Sequence, residues 1–381
     1  MALSLSRNAK FYCSYIAAGT STWDGAGTHP GDADTFEIPV LDGFSFSQAT
    51  GTQNVVLNEA GDTPKRGQKI FNTSLEAVEW SFTTYIRPFV DSADSSKHSM
   101  TEKLLWNALV SNSQTNNTST GGIVANTTDC TVDFEDSEHN QLLKFTGWFV
   151  FTDGANIQAY ELAKMCVNTA SIDFDIDGIA QITWSGYATS VTEVGASAGA
   201  YPDQSGDATD GYVPANSDAD FILNRLSTVT LTSTISGGSK AYTFPLTGGN
   251  VTVDNGITYV IPEELGKINT PVDHQVGTRA ISGNFTAYLD TTALSTKVMY
   301  DDILADINGA APDVTNVFSI DLKIGGASAP FVQFNMLKAH LELPAIDTAD
   351  VMGVTINFTA LESAFGGEDE LTVKYKGLTS T

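Results

Sequence analysis

The sequence predicts a mainly β protein of two tandem modules, each with one covering α-helix, joined by a flexible linker. Three observations carry this. Most segments alternate apolar and polar residues with period two and are rich in Thr, Val, Ile and aromatics, the pattern of half-buried strands. The stretch Val78-Glu79-Trp80-Ser81-Phe82-Thr83-Thr84-Tyr85-Ile86 returns as Ile281-Ser282-Gly283-Asn284-Phe285-Thr286-Ala287-Tyr288-Leu289. Between the two copies, residues 195–220 hold almost no large apolar side chain and have linker composition.

Module one, 1–195, opens on Leu5-Ser6-Arg7. Thr50 to Gln68, broken by Gly51, Gly61, Pro64 and Gly67, reads as a long excursion between strands, the kind of loop that carries contacts. In the strand that follows, Val78, Trp80, Phe82 and Ile86 share one face and Glu79, Ser81, Thr83 and Tyr85 the other. A helix is predicted over Met100–Val110, capped by Ser99 and burying Leu104, Leu105, Ala108 and Leu109. Val110 to Asp129 reads as plain exposed chain. Asp173-Phe174-Asp175-Ile176-Asp177-Gly178 belongs to a strand with Ile172, Phe174 and Ile176 inward and Asp173, Asp175 and Asp177 outward.

After the linker, 196–220, module two spans 221–366 and opens on Leu223-Asn224-Arg225. Gly237-Gly238 and Gly248-Gly249 read as turns. Pro262 to Gly277 is the counterpart of the first excursion. The next strand turns Ile281, Phe285 and Leu289 inward and Ser282, Asn284 and Thr286 outward. A helix follows from about Ser295 to Ile307. Lys164–Tyr187 then aligns without a gap on Lys338–Leu361, setting Ile172-Asp173 against Ile346-Asp347, Ile182 against Ile356 and Trp184 against Phe358. Three matches in one order predict an internal duplication. The remaining segment, 367–381, acidic and then basic, is expected to leave the module as a C-terminal tail.

Composition narrows the function. Of 381 residues, 45 are acidic and 19 basic, a net charge of −26. That excludes a basic groove that tracks phosphate and suits surfaces that repel polyanions, although acidity also serves solubility alone. Cys13, Cys130 and Cys166 form no CxxC or His-Cys cluster, so they read as reduced structural thiols rather than zinc ligands. The five histidines lack metal-ligand spacing, and neither HExxH nor GxSxG occurs. The acidic repeat Asp173-x-Asp175-x-Asp177-Gly178 begins like a calcium loop, but its twelfth position is Trp184 where a bidentate Glu is needed. Acid pairs for glycoside hydrolysis stay possible, with nothing to single one out. Trp23, Trp80, Trp106, Trp148 and Trp184 mostly lie on apolar faces and read as core. No catalytic residue, cofactor or metal is expected. No apolar run of about 18 residues predicts a membrane span, and Met1 to Arg7 lacks signal-peptide layout.

Three stretches resemble the tail tube proteins of tailed bacteriophages: Ala170–Gly178 running on to Trp184-Ser185-Gly186, Gly283–Leu289 with its short helix, and the opening Leu3–Asn8. The resemblance implies β-sandwich or split-barrel modules, each with one flanking helix, whose sheets join into a closed inner barrel, with rings stacked into a tube. The usual pattern has one module per chain and six chains per ring. Two modules here imply trimeric, pseudo-hexameric rings forming the channel for phage DNA ejection. Glu79, Ser81, Thr83, Ser282, Asn284 and Thr286, with Asp173, Asp175 and Asp177, are then expected to line the lumen. Val55, Val56, Leu57 and Leu265 are expected to make ring-to-ring contacts. Expected partners are other copies, baseplate and terminator proteins, sheath in a contractile tail, and passing DNA and tape measure protein, in a virion assembled in the host cytoplasm. A baseplate hub or tube initiator, or an extracellular carbohydrate-active β protein, are the alternatives.

Overall fold

A computed structural model describes residues 9–15, 35–55, 68–91, 96–111, 122–134, 142–152, 157–194, 221–233, 239–308, 317–348 and 351–378. The 196–220 linker, Leu5-Ser6-Arg7, Trp23 and Gly237-Gly238 lie outside these residues. The first half contributes β1 (Ala9–Tyr15), β2 (Thr35–Ile38), β3 (Ser45–Val55), β4 (Lys69–Tyr85), β5 (Pro88–Asp91), β6 (Lys97–Met100), α1 (Lys103–Val110), β7 (Gly122–Ala125), β8 (Cys130–Asp133), β9 (Phe145–Thr152), β10 (Ile157–Asp175), β11 (Gln181–Ala188) and β12 (Ser190–Val194). The second contributes β13 (Thr228–Ser233), β14 (Lys240–Thr243), β15 (Leu246–Asp254), β16 (Thr258–Val260), β17 (Asp273–Gln275), β18 (Ala280–Tyr288), α2 (Thr296–Ile307), β19 (Phe318–Gly325), β20 (Phe331–Leu341), β21 (Ala345–Asp347), β22 (Gly353–Leu361) and β23 (Thr372–Lys376).

Period-two alternation becomes strand as expected. In β11 every second side chain, from Ile182 to Ala188, is buried. Strand β10 is long enough to serve two sheets. Its first part pairs with β9 and β12, and β9 continues through β1 to β2. Register shifts between Leu162 and Met165, where Lys164 takes φ 50°, and between Val167 and Thr169 mark the change of sheet. Its second part pairs with β11, then β4, then β3. The order recurs: β20 pairs first with β19 and β23, with β19 leading through β13 to β14, and then with β22, β18 and β15. The inner sheets fuse, because β10 and β15 pair antiparallel from Thr169–Asp254 to Asp175–Gly248. One sheet therefore runs β3-β4-β11-β10-β15-β18-β22-β20.

Several expectations change. Phe82 faces Trp184, whereas Phe285 faces Ile356, so in this frame Trp184 matches Ile356 and not Phe358. The gapless alignment slips by two because the return from Ile346 to Ile356 is two residues shorter than that from Ile172 to Trp184. Ser99 is not a cap. It lies in β6, which pairs with β5, and the helix starts only after Glu102. Helix α1 does not merely cover a sheet: every residue from Lys103 to Val110 is buried. By contrast α2 buries only Thr296, Met299 and Ile303. Gly248-Gly249 is no turn but part of β15, where a side chain at Gly249 would stand 2.7 Å from the Phe174 ring. Ile176 falls beyond the end of β10 and is exposed. The exposed-loop reading of Val110–Asp129 fails at β7, whose Ile123 is buried.

The largest correction concerns the tail. Residues 372–376 form β23, held between β20 and β8. Leu371, Val373 and Tyr375 alternate inward and are fully buried, a short apolar period that its acidic and basic neighbours obscure. The Trp106 indole N–H donates to the Tyr375 hydroxyl at 2.7 Å, and the Trp106 ring meets Trp184 edge-on at 5.2 Å. The last strand thus completes the core around the helix of the first half.

Candidate functional site

One face of the eight-stranded sheet is core and the other is polar. On β4 the side chains of Val78, Trp80, Phe82 and Thr84 are buried, while Glu79 is exposed and Ser81 and Thr83 are half-buried. On β18 Ile281, Phe285 and Ala287 point to the core, and Ser282, Asn284 and Thr286 to the opposite face. Antiparallel register aligns these positions across both halves. One row runs Thr83, Thr183, Ser171, Thr252, Ser282 and Thr359. The next runs Asp173, Asn250, Asn284 and Asn357.

Neighbours in these rows bond to each other. The Thr83 and Thr183 hydroxyls lie 2.9 Å apart and those of Ser171 and Thr252 3.2 Å. The Asn250 amide donates to the Asp173 carboxylate, and the Asn357 amide to Glu342 at 2.8 Å. Such cross-strand pairs fix side-chain direction and stiffen the face. Its charge is mostly acidic: Glu79, Asp173, Asp175, Asp254, Glu342 and Asp347 stand against Lys338 and His340. The Lys338 ammonium is itself engaged by the Ser363 carbonyl.

Asp173 and Asp175 sit on this face at the end of β10. Asp177 does not continue the row; it lies past the strand end and pairs with Arg225 at 2.7 Å, both side chains well exposed. Val55 ends β3 with 39% of its surface exposed, and Val56 and Leu57 lie outside the described residues. Thr50–Val55 is strand rather than loop, paired with the start of β4. The second excursion is not all loop: its β17 pairs back on β16, which precedes it, and the resulting hairpin lies along the first half of the same chain. Its Asn269 bonds through the backbone to Thr73 and Leu75, Asp273 pairs with Lys144 at 2.6 Å, and the Tyr259 hydroxyl donates to the Lys164 carbonyl. Burial pushes the Asp273 carboxyl up, but Lys144 and the His274 amide outweigh it and hold it below the usual carboxylate range. Leu265, at the tip, is fully exposed.

Residues that composition did not single out complete the surface. Asp254, Glu342, Asn250 and Asn357 were legible only through strand pairing. Phe365 is fully exposed on a turn in which the Gly366 and Gly367 amides donate to Glu362 and the Ser363 amide to Asp369. Register sets this turn, the β16–β17 hairpin and the Val55 and Lys69 ends of β3 and β4 at one end of the sheet, and exposed Tyr288, Val351 and Met352 at the other.

The chemistry on offer is that of a surface. Among the described residues no three or more His, Cys, Asp or Glu side chains are grouped to hold a metal ion. The three cysteines are buried and form no disulfide among the described residues, and burial pushes the Cys130 and Cys166 thiols up to about 12, leaving those two inert as nucleophiles. No helix of the described residues is long and apolar enough to cross a membrane.

A sheet of this kind, polar and acidic on one face across two like halves, fits the phage resemblance, and comparison with known proteins decides the matter. A family profile described as phage tail tube protein matches residues 17–360. The chain belongs to the phage tail tube protein family. It is 31% identical over 374 residues to tail tube protein pb6 of Escherichia phage T5, covering 97% of this chain and 75% of that protein. As a tail tube protein it is a structural component of the virion, located in the phage tail. Both matches carry the description of a tail tube protein.

Proposed function

We propose that this tail tube protein is the repeating subunit of the tube, that its two halves are a tandem duplication, and that three chains close into one pseudo-hexameric ring. The β10–β15 pairing carries the reading. It joins two four-stranded sheets of the same internal order edge to edge, with both polar faces on one side. An exposed sheet edge is an association hazard unless it is closed. Three chains of eight inner strands give 24 strands, and at ordinary strand spacing and tilt that is a barrel about 45–50 Å across its backbone. Side chains on each wall still leave an open bore.

In this ring the polar face lines the channel, with Glu79, Ser81, Thr83, Asp173, Asp175, Ser282, Asn284 and Thr286 toward the lumen. Duplex DNA carries about one negative charge per 1.7 Å of axis, so a basic wall would hold it along the whole tube. Hydroxyls, amides and carboxylates let DNA and tape measure protein pass without specific binding. Rings stack through the two apolar ends of the sheet, with Leu265 and Val55 among the contacts. The tube then meets other tail proteins at its ends. Electron microscopy of the purified protein tests this by showing hollow stacked rings, and native mass measurement of a dissociated ring reads three chains. Six chains per ring, or filaments without a bore, overturns it.

A further inference from the structure

The chain contains one finished junction between like sheets and leaves two edges open. Among the described residues β3 pairs only with β4, and β21 only with β22, so the outer edge of each is unpaired. Strand register shows that these edges correspond to the strands of the internal junction. In the first half Phe82 faces Trp184, and the neighbouring Thr183 faces Ser171. In the second half Phe285 faces Ile356, and the neighbouring Thr355 faces Ala345. Ser171 and Ala345 therefore occupy the same place. By the same steps Ser47, which faces Glu79, occupies the place of Thr252, which faces Ser282.

Inside the chain, Ser171 faces Thr252. We infer that each ring junction copies this pairing: Ala345 of one chain stands opposite Ser47 of the next, Asp347 opposite Ser45, and Ile346 opposite Phe46. The inference rests on the ring proposed above and adds its register, which a one-residue slip would invert face for face. A separate observation supports it. Ile172 is fully buried, facing Val251 across the internal junction, whereas its counterpart Ile346 is 42% exposed. Phe46, the counterpart of Val251, is only half-buried. Pairing two copies as inferred sets these two apolar side chains together on the core side. It also sets Ser45, Ser47, Ala345 and Asp347 on the polar face, so that this face continues across the junction.

Cysteine pairs test the register. The Ser171 and Thr252 hydroxyls approach to 3.2 Å, so Ser171→Cys with Thr252→Cys is an internal control that must close within one chain. The test variant is Ser47→Cys with Ala345→Cys, assembled, mildly oxidised and run without reductant. The expected result is conversion of most of the chain to covalent dimer and trimer, with Ser47→Cys plus Ile346→Cys giving none, because that pair points to opposite faces. Rings by microscopy with cross-linking only in the shifted pair overturn the register while sparing the ring. Absence of rings in the parent protein overturns the ring itself. If the double variant does not assemble, Ile346→Glu gives a second reading: a folded chain by circular dichroism that has lost polymerisation. Unimpaired tubes from Ile346→Glu overturn the inference.

Discussion

Trp80 lies directly opposite Gly186 across β4 and β11, and its ring fills the space a side chain at 186 would need. A Cβ there would stand 2.8 Å from the Trp80 ring and 2.0 Å from the Cys166 carbonyl oxygen. In the second half the partners trade strands: Gly283 lies opposite Phe358, and its Cβ would stand 2.7 Å from that ring and 2.0 Å from the Asn250 carbonyl. An aromatic ring over a strand glycine restores packing that glycine alone lacks.

Gly186→Ala and Gly283→Ala are expected to cost roughly 2–4 kcal/mol each, because a backbone oxygen cannot move aside. Denaturant midpoints measure this. Adding Trp80→Leu to Gly186→Ala should recover little, since the carbonyl contact remains. A variant as stable as the parent contradicts the close approach.

Removing residues 368–381 deletes β23 and opens the core at Tyr375. The truncated chain is expected to be insoluble or to lose near-UV dichroism. Tyr375→Phe keeps the ring but strands the buried Trp106 N–H, at about 1–3 kcal/mol. A free-hanging tail would make both changes silent.

Glu102 is fully buried at the start of α1, and burial raises its carboxyl from 4.5 to about 8. The folded state then holds a proton that the unfolded chain releases, so stability falls as pH rises from about 4.5 to about 8 and levels off above. Glu102→Gln, which mimics the neutral form, should flatten that fall, with a gain of up to a few kcal/mol at pH 9. Melting curves across pH 5–9 read it. Parallel curves for parent and variant would falsify the assignment.

Replacing Glu79 and Ser81 with Lys should leave tubes intact, since both side chains lie off the core. DNA release should slow, most at low salt where screening is weakest. Release unchanged at every salt concentration means this face does not meet DNA.

Much of the inner sheet was legible, because residues such as Val78, Trp80 and Phe82 alternate cleanly with Glu79, Ser81 and Thr83. That alternation reports burial on one face, and burial is what the sheet needs. The halves could be matched at Phe82 and Phe285 for the same reason. The slip at Phe358 arose because an aromatic exchanged strands with a glycine, which side-chain likeness alone cannot reveal. The C-terminal strand was missed because its partners, Cys130–Asp133 and Phe331–Asn335, are distant in sequence. The edges Ser45–Val55 and Ala345–Asp347 were hidden too, since an unpaired backbone leaves no mark on composition.

The bond between Trp106 and Tyr375 joins residues 269 positions apart. At ordinary translation rates of 5–20 residues per second, Trp106 waits roughly 13–54 s for its partner to be made. For that time the helix lacks its closing strand and the core beside it is unfinished. Synthesis of residues 371–376 thus acts as a clock: the core around Trp106 closes only once that strand has left the ribosome.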